Sequence, residues 1–534
     1  MGASSSAGQP PSEQQAAEAL AASTGALPLL QKAFSSLADP QTNLISVVSL
    51  QEVFNLGSEN LASAENPLAD RLSKVLDYLG RAVVDVFFMV EKGGISWTEF
   101  VKGYTKCCGR ISSSVALGNL LKVFALSSEK AGFPVALGFE CDEEDQEITM
   151  SGALSVNDMT VLLWMCWLMS FYSFDLEAWK IRASGDLPDV DHLVLSAVES
   201  CAENASSVNT WESDLSGLDV QLPAVKLKSW FTTTVPQIAS CFSKFVHSGL
   251  QNSIRSKDKA EPSSASEVDG TSNGASGTLL THGRAWAFSL SMRSTISEDF
   301  LKACFPIPGN GSDDILLYRS SYHGKGMNRF WSNVEGYNGP VLILISACSE
   351  DTNDRRWIIG VQTQQGFENH DSFYGSSGCL YAVSPVFHAF AASGKEKNFI
   401  YSHLHLSGKA YEPKPKPVGI GFGGSIGNER IFMDEDFAKI IIRHHAVDKT
   451  YQHGSLIPNQ GFLPVEAAVF SVEVWGLGGR SIKAQQDSHK KREELFTEQR
   501  RKVDLKTFSN WEDSPEKMMM DMMSNPNAVR REDR

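Results

Sequence analysis

No apolar run in this chain reaches the length of a bilayer. The longest, Met159–Phe174, lies between Asp158 and Asp175 and is shorter than the ~20 residues a spanning helix needs. Its Trp, Met and Cys content predicts a buried core helix instead. Net positive charge is missing too. The 48 Lys and Arg against 63 Asp and Glu give −15 at pH 7, which argues against nucleic-acid binding, since that requires a basic face. Cysteine provides no framework: the nine residues are odd in number, and Cys107 and Cys108 are adjacent. Adjacent cysteines suit neither an ordinary disulfide nor a C-x-x-C metal knuckle, so reduced thiols in cytosol or nucleus are expected. The opening residues lack the basic and apolar regions of a secretory signal. Asn310-Gly311-Ser312, an acceptor pattern for glycosylation, is therefore expected to stay unmodified.

The chain opens Met1-Gly2-Ala3-Ser4-Ser5-Ser6. This fits M-G-x-x-x-[ST], the N-myristoylation pattern, with Gly2 as the acylated residue. A single myristoyl chain binds membranes only marginally, at about 10⁴ M⁻¹, and needs a second contact. The arm carries none: the first Lys is Lys32 and the first Cys is Cys107. Reversible attachment to an endomembrane, or a partner already on the membrane, is expected.

The first half favours helices. Residues 12–39 are rich in Ala, Glu, Gln and Leu, interrupted at Pro28 and closed by Pro40; residues 68–90 place apolar side chains at helical spacing, with Gly80 as a weak point. Further helices are predicted over 112–125, 154–174, 187–202 and 222–252, the last anchored by Trp230, Phe242 and Phe245. Asp142-Glu143-Glu144-Asp145 reads as a solvated turn. The segment Gly93-Gly94-Ile95-Ser96-Trp97-Thr98-Glu99-Phe100 has the form of the second half of an EF-hand, with Glu99 as the twelfth-position carboxylate. Counting back places Phe88, Val90 and Lys92 at the first, third and fifth positions, where calcium needs oxygen ligands. The loop is thus read as a degenerate EF-hand that binds no calcium.

Residues 256–278 are Ser, Gly, Ala and charge and read as a flexible linker. Beyond it, short apolar runs alternate with Gly and polar turns, as strands do: Val341–Cys348, Trp357–Gln362, Cys379–Val383, Phe399–His403 and Ala467–Trp475. A short helix is predicted over Ser297–Ala303.

Here the sequence becomes specific. Leu316-Leu317-Tyr318-Arg319-Ser320-Ser321-Tyr322-His323-Gly324-Lys325, followed by Phe330-Trp331, resembles the opening signature of the TLDc domain. Later motifs follow in family order: Gly339-Pro340 and its strand, Trp357–Gly360, Phe373-Tyr374-Gly375, Cys379-Leu380, Gly419-Ile420-Gly421-Phe422-Gly423-Gly424, Ile431-Phe432, and Glu473-Val474-Trp475-Gly476. Two places depart from the pattern, Lys416-Pro417-Val418 before the glycines and Tyr401-Ser402-His403 on the preceding strand. With Gly2 and the EF-hand-like segment, the chain resembles the N-myristoylated, lysosome- or vacuole-associated subgroup of TLDc proteins. That resemblance implies protection from oxidative damage and binding of the vacuolar proton-pumping ATPase or a growth-signalling kinase complex. It marks Tyr318, Arg319, His323, Gly324, Trp331, Gly360, Gly375, Gly421, Gly423, Gly424, Trp475 and Gly476 as the domain's motif positions.

Three catalytic patterns fail on context. Gly423-Gly424-Ser425-Ile426-Gly427 matches the G-x-S-x-G of serine hydrolases, but Pro413, Pro415 and Pro417 precede it and an apolar strand-like run follows; a hairpin turn is expected instead of strand-turn-helix. Gly419-x-Gly421-x-x-Gly424 lacks the βαβ setting of a dinucleotide site. His403, His405, His444 and His445 lack a partner ligand at convincing metal spacing. No catalytic residue, metal or cofactor is expected. In the tail, residues 482–503 have the composition of a polar helix, with Leu495 and Phe496 its main apolar residues; Trp511, Met519 and Met522 follow. Met suits interfaces that re-pack, so these five are candidate partner contacts.

The expected architecture is α+β: a lipidation arm (1–11), a helical EF-hand-like half (12–255), the linker (256–278), a β-sandwich-like TLDc domain with peripheral helices (279–479), and a helical tail (480–534). The expected function is a cytoplasmic, membrane-associated regulator or scaffold; an antioxidant or hydrolase-like enzyme and a nuclear or nucleolar factor are the alternatives.

Overall fold

The computed structural model describes residues 12–57, 66–90, 93–141, 148–174, 187–202, 210–211, 215, 218–258, 278–292, 315–349, 355–404 and 416–512, with 517, 519 and 523. Several sequence readings lie outside the described residues: the Gly2 arm, Lys92, the acidic run 142–145, nearly all of the linker, the Ser297–Ala303 helix, the 310–312 acceptor, His405 and Met522.

The helical half is mixed with a small sheet. Ser12 starts α1 (Glu13–Ser23) with a capping box to Gln15. Pro28 opens α2 (Leu27–Leu37) rather than breaking it, since its missing N–H falls in the first turn. After α3 (Val47–Val53), the periodic run 68–90 divides at Tyr78 into α4 (Pro67–Asp77) and α5 (Leu79–Phe87). Gly80 lets α5 close on α3: a Cβ there would stand 2.1 Å from the Gln51 carbonyl oxygen. Helices α6 (Trp97–Cys108) and α7 (Ser113–Lys130) follow. The α2–α3 and α5–α6 loops are joined to each other. Ile45 and Ile95, both buried, exchange backbone hydrogen bonds of 3.0 and 2.9 Å. Two residues before each, Asn43 and Gly93 turn the chain with φ of 53° and 86°.

Strands β1 (Leu137–Cys141), β2 (Ile148–Ser155) and β3 (Gln221–Pro223) form a three-stranded sheet. The Met159–Phe174 run lies in α8 (Val156–Phe174), largely buried, and no single helix among the described residues is long and apolar enough to cross a bilayer. Ser155 caps its start by accepting the Asp158 N–H, and the Asp158 carboxylate reaches back to accept the Ser155 N–H and hydroxyl while pairing with Arg71. Helix α9 spans Asp191–Cys201. The helix expected over 222–252 is divided at Pro236 into α10 (Ala224–Thr233) and α11 (Ala239–Asp258), because proline cannot donate the continuing hydrogen bond. Its anchors Trp230, Phe242 and Phe245 are all buried.

After α12 (His282–Ser291) comes an 11-stranded antiparallel sheet, a continuous path that curls. Its strands are β4 (Leu316–Arg319), β5 (Val341–Cys348), β6 (Arg356–Thr363), β7 (His370–Tyr374), β8 (Gly378–Ser384), β9 (His388–Ala391), β10 (Ile400–His403), β11 (Gly419–Ser425), β12 (Asn428–Asp434), β13 (Lys439–Ile442) and β14 (Val465–Gly476). The order is β7-β10-β11-β12-β13-β14-β5-β6-β8-β9, with β4 also paired to β14. Side chains alternate between faces along a strand. On β5, Ile343 and Ile345 enter the core inside the curl, while Leu342 and Leu344 enter the core of the helical half. A strand covered on both faces reads as an unbroken apolar run. Residues 467–470 of β14 alternate between buried and exposed, and residues 472–476 are buried on both faces.

Helix α12 seals this junction. Trp286 meets Trp167 edge-on at 5.8 Å, Phe288 meets Tyr381 at 4.8 Å, and the His192 carbonyl accepts the Phe387 N–H. The expected boundary at 279 groups α12 with the sheet; in the structure it packs against both halves. The sheet is followed by the 34-residue helix α15 (Gly479–Glu512), longer than the 482–503 expected from composition.

Candidate functional site

The signature that opens the sheet domain forms one bonded unit. Tyr318 and Arg319 close β4, Ser320–His323 form a single helical turn (α13), and Met327–Val334 form α14, which carries buried Phe330 and Trp331. The Arg319 N–H donates to His323 Nδ1 at 3.0 Å, so the proton of a neutral ring sits on Nε2. The His323 ring stacks on Tyr318, and burial holds its pKa below the ordinary value. The Tyr318 hydroxyl donates to the Gly324 carbonyl at 2.6 Å.

Beneath this unit lies Glu473, fully buried on β14. Its carboxylate accepts four bonds: from the Leu279 N–H at 3.0 Å, the Leu280 N–H at 3.2 Å, Arg319 Nε at 3.0 Å and Trp475 Nε1 at 3.1 Å. A buried charge is tolerable only when so satisfied. Glu473 therefore ties the segment leading into α12 to β4 and β14. In the sequence Glu473 stands within a TLDc-like motif with nothing to mark this role. A second buried pair was missed altogether. Arg430 donates to Asp448 and to the Gln452 and Gly454 carbonyls, all at 2.7 Å, and fixes the 443–454 loop. The available signal is slight, since Arg430 follows Asn428 and Glu429 and stands at the head of the apolar Ile431–Met433 of β12.

The glycine-rich run is a hairpin. β11 and β12 pair from Gly419↔Asp434 to Ser425↔Asn428, leaving Ile426-Gly427 as the turn, so a strand follows Ser425 where a hydrolase has a helix. Ser425 is exposed, and no histidine is hydrogen-bonded to it among the described residues. His403 and His445 fall at opposite ends of β11: His403 pairs with Gly419, and His445 lies against Gly424. Among the described residues no group of three His, Cys, Asp or Glu is placed to hold a metal. Of the other motif glycines, Gly360 lies on β6 against Phe288, Gly375 follows β7, Gly421 is on β11, and Gly476 ends β14 beside Tyr337.

Among the described residues, helix α15 docks by its first turns. Gln486, fully buried, donates to the Asn333 and Glu335 carbonyls, and Lys490 donates to Asn333. Ile482 packs against the glycines at 339 and 478. Further along, Leu495 and Phe496 are 59% and 56% exposed. Met519 is exposed as well; the Trp511 side chain lies outside the described residues.

Residues 294–478 match the TLDc domain family, so the curled sheet with α13 and α14 is a TLDc domain. The match covers well under half of the chain and stops just before α15. A search of curated proteins finds no match to the chain.

Proposed function

We propose that this chain is a regulatory or scaffold protein that acts by binding through its TLDc domain and tail, in the context of oxidative-stress resistance. The projection of α15 carries this reading. The helix is anchored at Ile482, Gln486 and Lys490, yet presents an adjacent apolar pair on a strongly charged surface. An otherwise polar helix has little reason to expose Leu495 and Phe496 unless something covers them. The signature residues favour a structural role, since Arg319, His323 and Glu473 are engaged in bonds that hold the fold. Vacuolar proton-pumping ATPase subunits or a growth-signalling kinase complex are the proposed partners, by resemblance alone. Myristoyl-Gly2 is the proposed anchor to a lysosomal or vacuolar surface.

The joined α2–α3 and α5–α6 units support reading this region as a degenerate EF-hand pair. Phe88 is buried, Val90 carries no ligand atom, and Glu99 pairs with Lys102 at 3.0 Å. The Phe88 and Val90 side chains offer none of the oxygens calcium requires, and the Glu99 carboxylate is already paired.

One experiment with two variants tests the reading. Cell membranes and cytosol are separated, and the tagged protein is captured from each fraction. Gly2→Ala is expected to move most of the protein into the soluble fraction. Leu495→Glu with Phe496→Glu is expected to keep the membrane distribution but lose the captured partner. Identical fractionation of Gly2→Ala and wild type contradicts the anchor; undiminished capture by the tail variant contradicts the binding surface.

A further inference from the structure

Four loops converge at one end of the curled sheet. The 392–398 loop bonds to the 449–452 segment through Ser393 N–H to the Thr450 carbonyl at 2.8 Å and Glu396 N–H to the Lys449 carbonyl at 3.0 Å. Asn398 reaches the β11–β12 hairpin by donating to the Gly424 carbonyl at 2.7 Å. His445 lies against the same glycine, and His444 stacks on Phe462 with ring centroids 4.7 Å apart.

The loop that carries Phe462 is held firmly. Leu456 and Ile457 are buried beneath it. The Gln460 side chain accepts the Leu456 N–H and donates to the Ile442 carbonyl, both at 3.3 Å. On this support the chain places Phe462 and Leu463 outward, 68% and 81% exposed, with Val447 75% exposed on the neighbouring loop. Adjacent large apolar residues that stay largely exposed on a pinned loop, with Phe462 stacked on the His444 ring, mark an interaction surface.

Charge identifies the partner's chemistry. Among the described residues of these loops, Asp448 and Glu429 are buried and paired with Arg430 and Arg443. Glu396 pairs with Lys449, which leaves Lys395 and Lys397 exposed on the rim. The described residues of these loops carry more Lys and Arg than Asp and Glu, with Glu466 exposed where β14 begins, in a chain of net charge −15. A protruding apolar tip with a cationic rim suits an anionic bilayer, where apolar burial and attraction to lipid headgroups add. We propose that the 455–464 loop, with Val447 and the lysines of the 392–398 loop, is a membrane-insertion surface for anionic lipid. This deepens the membrane reading above, because it supplies the second contact that one acyl chain needs.

The test uses full-length protein made without acylation, so it reads the loops whether or not Gly2 is ever modified. Sedimentation with phosphatidylcholine–phosphatidylserine vesicles is compared with phosphatidylcholine alone. Wild type is expected to bind the anionic vesicles and to release as salt is raised. Phe462→Ser with Leu463→Ser is expected to weaken binding about tenfold or more, from the apolar area withdrawn, with an unchanged thermal midpoint. Lys395→Glu with Lys397→Glu, which leaves the apolar tip in place, is expected to abolish the preference for anionic vesicles. Absence of binding by wild type, equal binding to neutral vesicles, or undiminished binding by the serine variant overturns the proposal.

Discussion

Replacing Glu473 with Ala destabilises the full-length protein by about 3–5 kcal/mol, the cost of breaking a buried ion pair by removing one partner. The carboxylate is completely buried and satisfies the Leu279 and Leu280 amides, Arg319 and Trp475 together. Truncation leaves a guanidinium and three N–H donors short of an acceptor. Each unsatisfied buried donor costs about 1–3 kcal/mol, and the whole protein has only about 5–15 kcal/mol to lose. Glu473→Gln is expected to be milder, because its amide oxygen still accepts, although its NH2 faces donors. Denaturant midpoints of the two variants against wild type check this. A loss below about 1 kcal/mol for Glu473→Ala, the range of an ordinary substitution, would contradict the role given to Glu473.

The glycine-rich hairpin gives the second large effect. Gly424 has φ of 77°, and a Cβ there would stand 2.2 Å from the Asn428 carbonyl oxygen. Gly423 has φ of 70°, and its Cβ would meet the Tyr451 ring at 3.1 Å. A β-branched residue in this backbone region costs roughly 1–3 kcal/mol, and a forced clash in packed surroundings adds about 1–3 kcal/mol. Gly424→Val is therefore expected to lose about 3 kcal/mol or more and Gly423→Val somewhat less, because an aromatic ring yields more easily than backbone. Ser425→Ala, on the exposed turn beside them, is expected to stay within about 0.5 kcal/mol of wild type. Thermal midpoints of the three variants decide the matter, and an undisturbed Gly424→Val protein would remove the conformational account of these glycines.

Where local pattern and burial coincide, the sequence was readable. The Met159–Phe174 run is a core helix, and Ala467–Trp475 lies in a strand, although the polar-apolar alternation of its second half reads as half-buried where residues 472–476 are buried on both faces. The glycine run was readable as a hairpin because strand-forming residues follow it. Elements that depend on distant partners were not. The Ala38–Ser46 loop has no ligand pattern, and only its Ile45 bridge to Ile95 reveals the pairing of the two helix-loop-helix units. Strand β3 is three residues long and exists because β2 lies beside it. Glu473 looks like any strand glutamate, and its four donors come from 279–280, β4 and its own strand. The 455–464 loop is marked by exposure, which no apolar pair in a sequence discloses. The candidate tail contacts were legible only as composition; the structure adds that α15 is docked through Gln486 and free of that dock at Leu495.

Under the proposed function, the TLDc domain with its tail acts by binding rather than by catalysis. The most direct measurement is complementation of cells lacking the protein, scored as survival under oxidative stress, with each variant expressed at the wild-type level. Ser425→Ala is expected to restore survival fully, while Leu495→Glu with Phe496→Glu, folded and equally abundant, is not. A stable Ser425→Ala protein that fails to restore survival, beside a tail variant that succeeds, would contradict it.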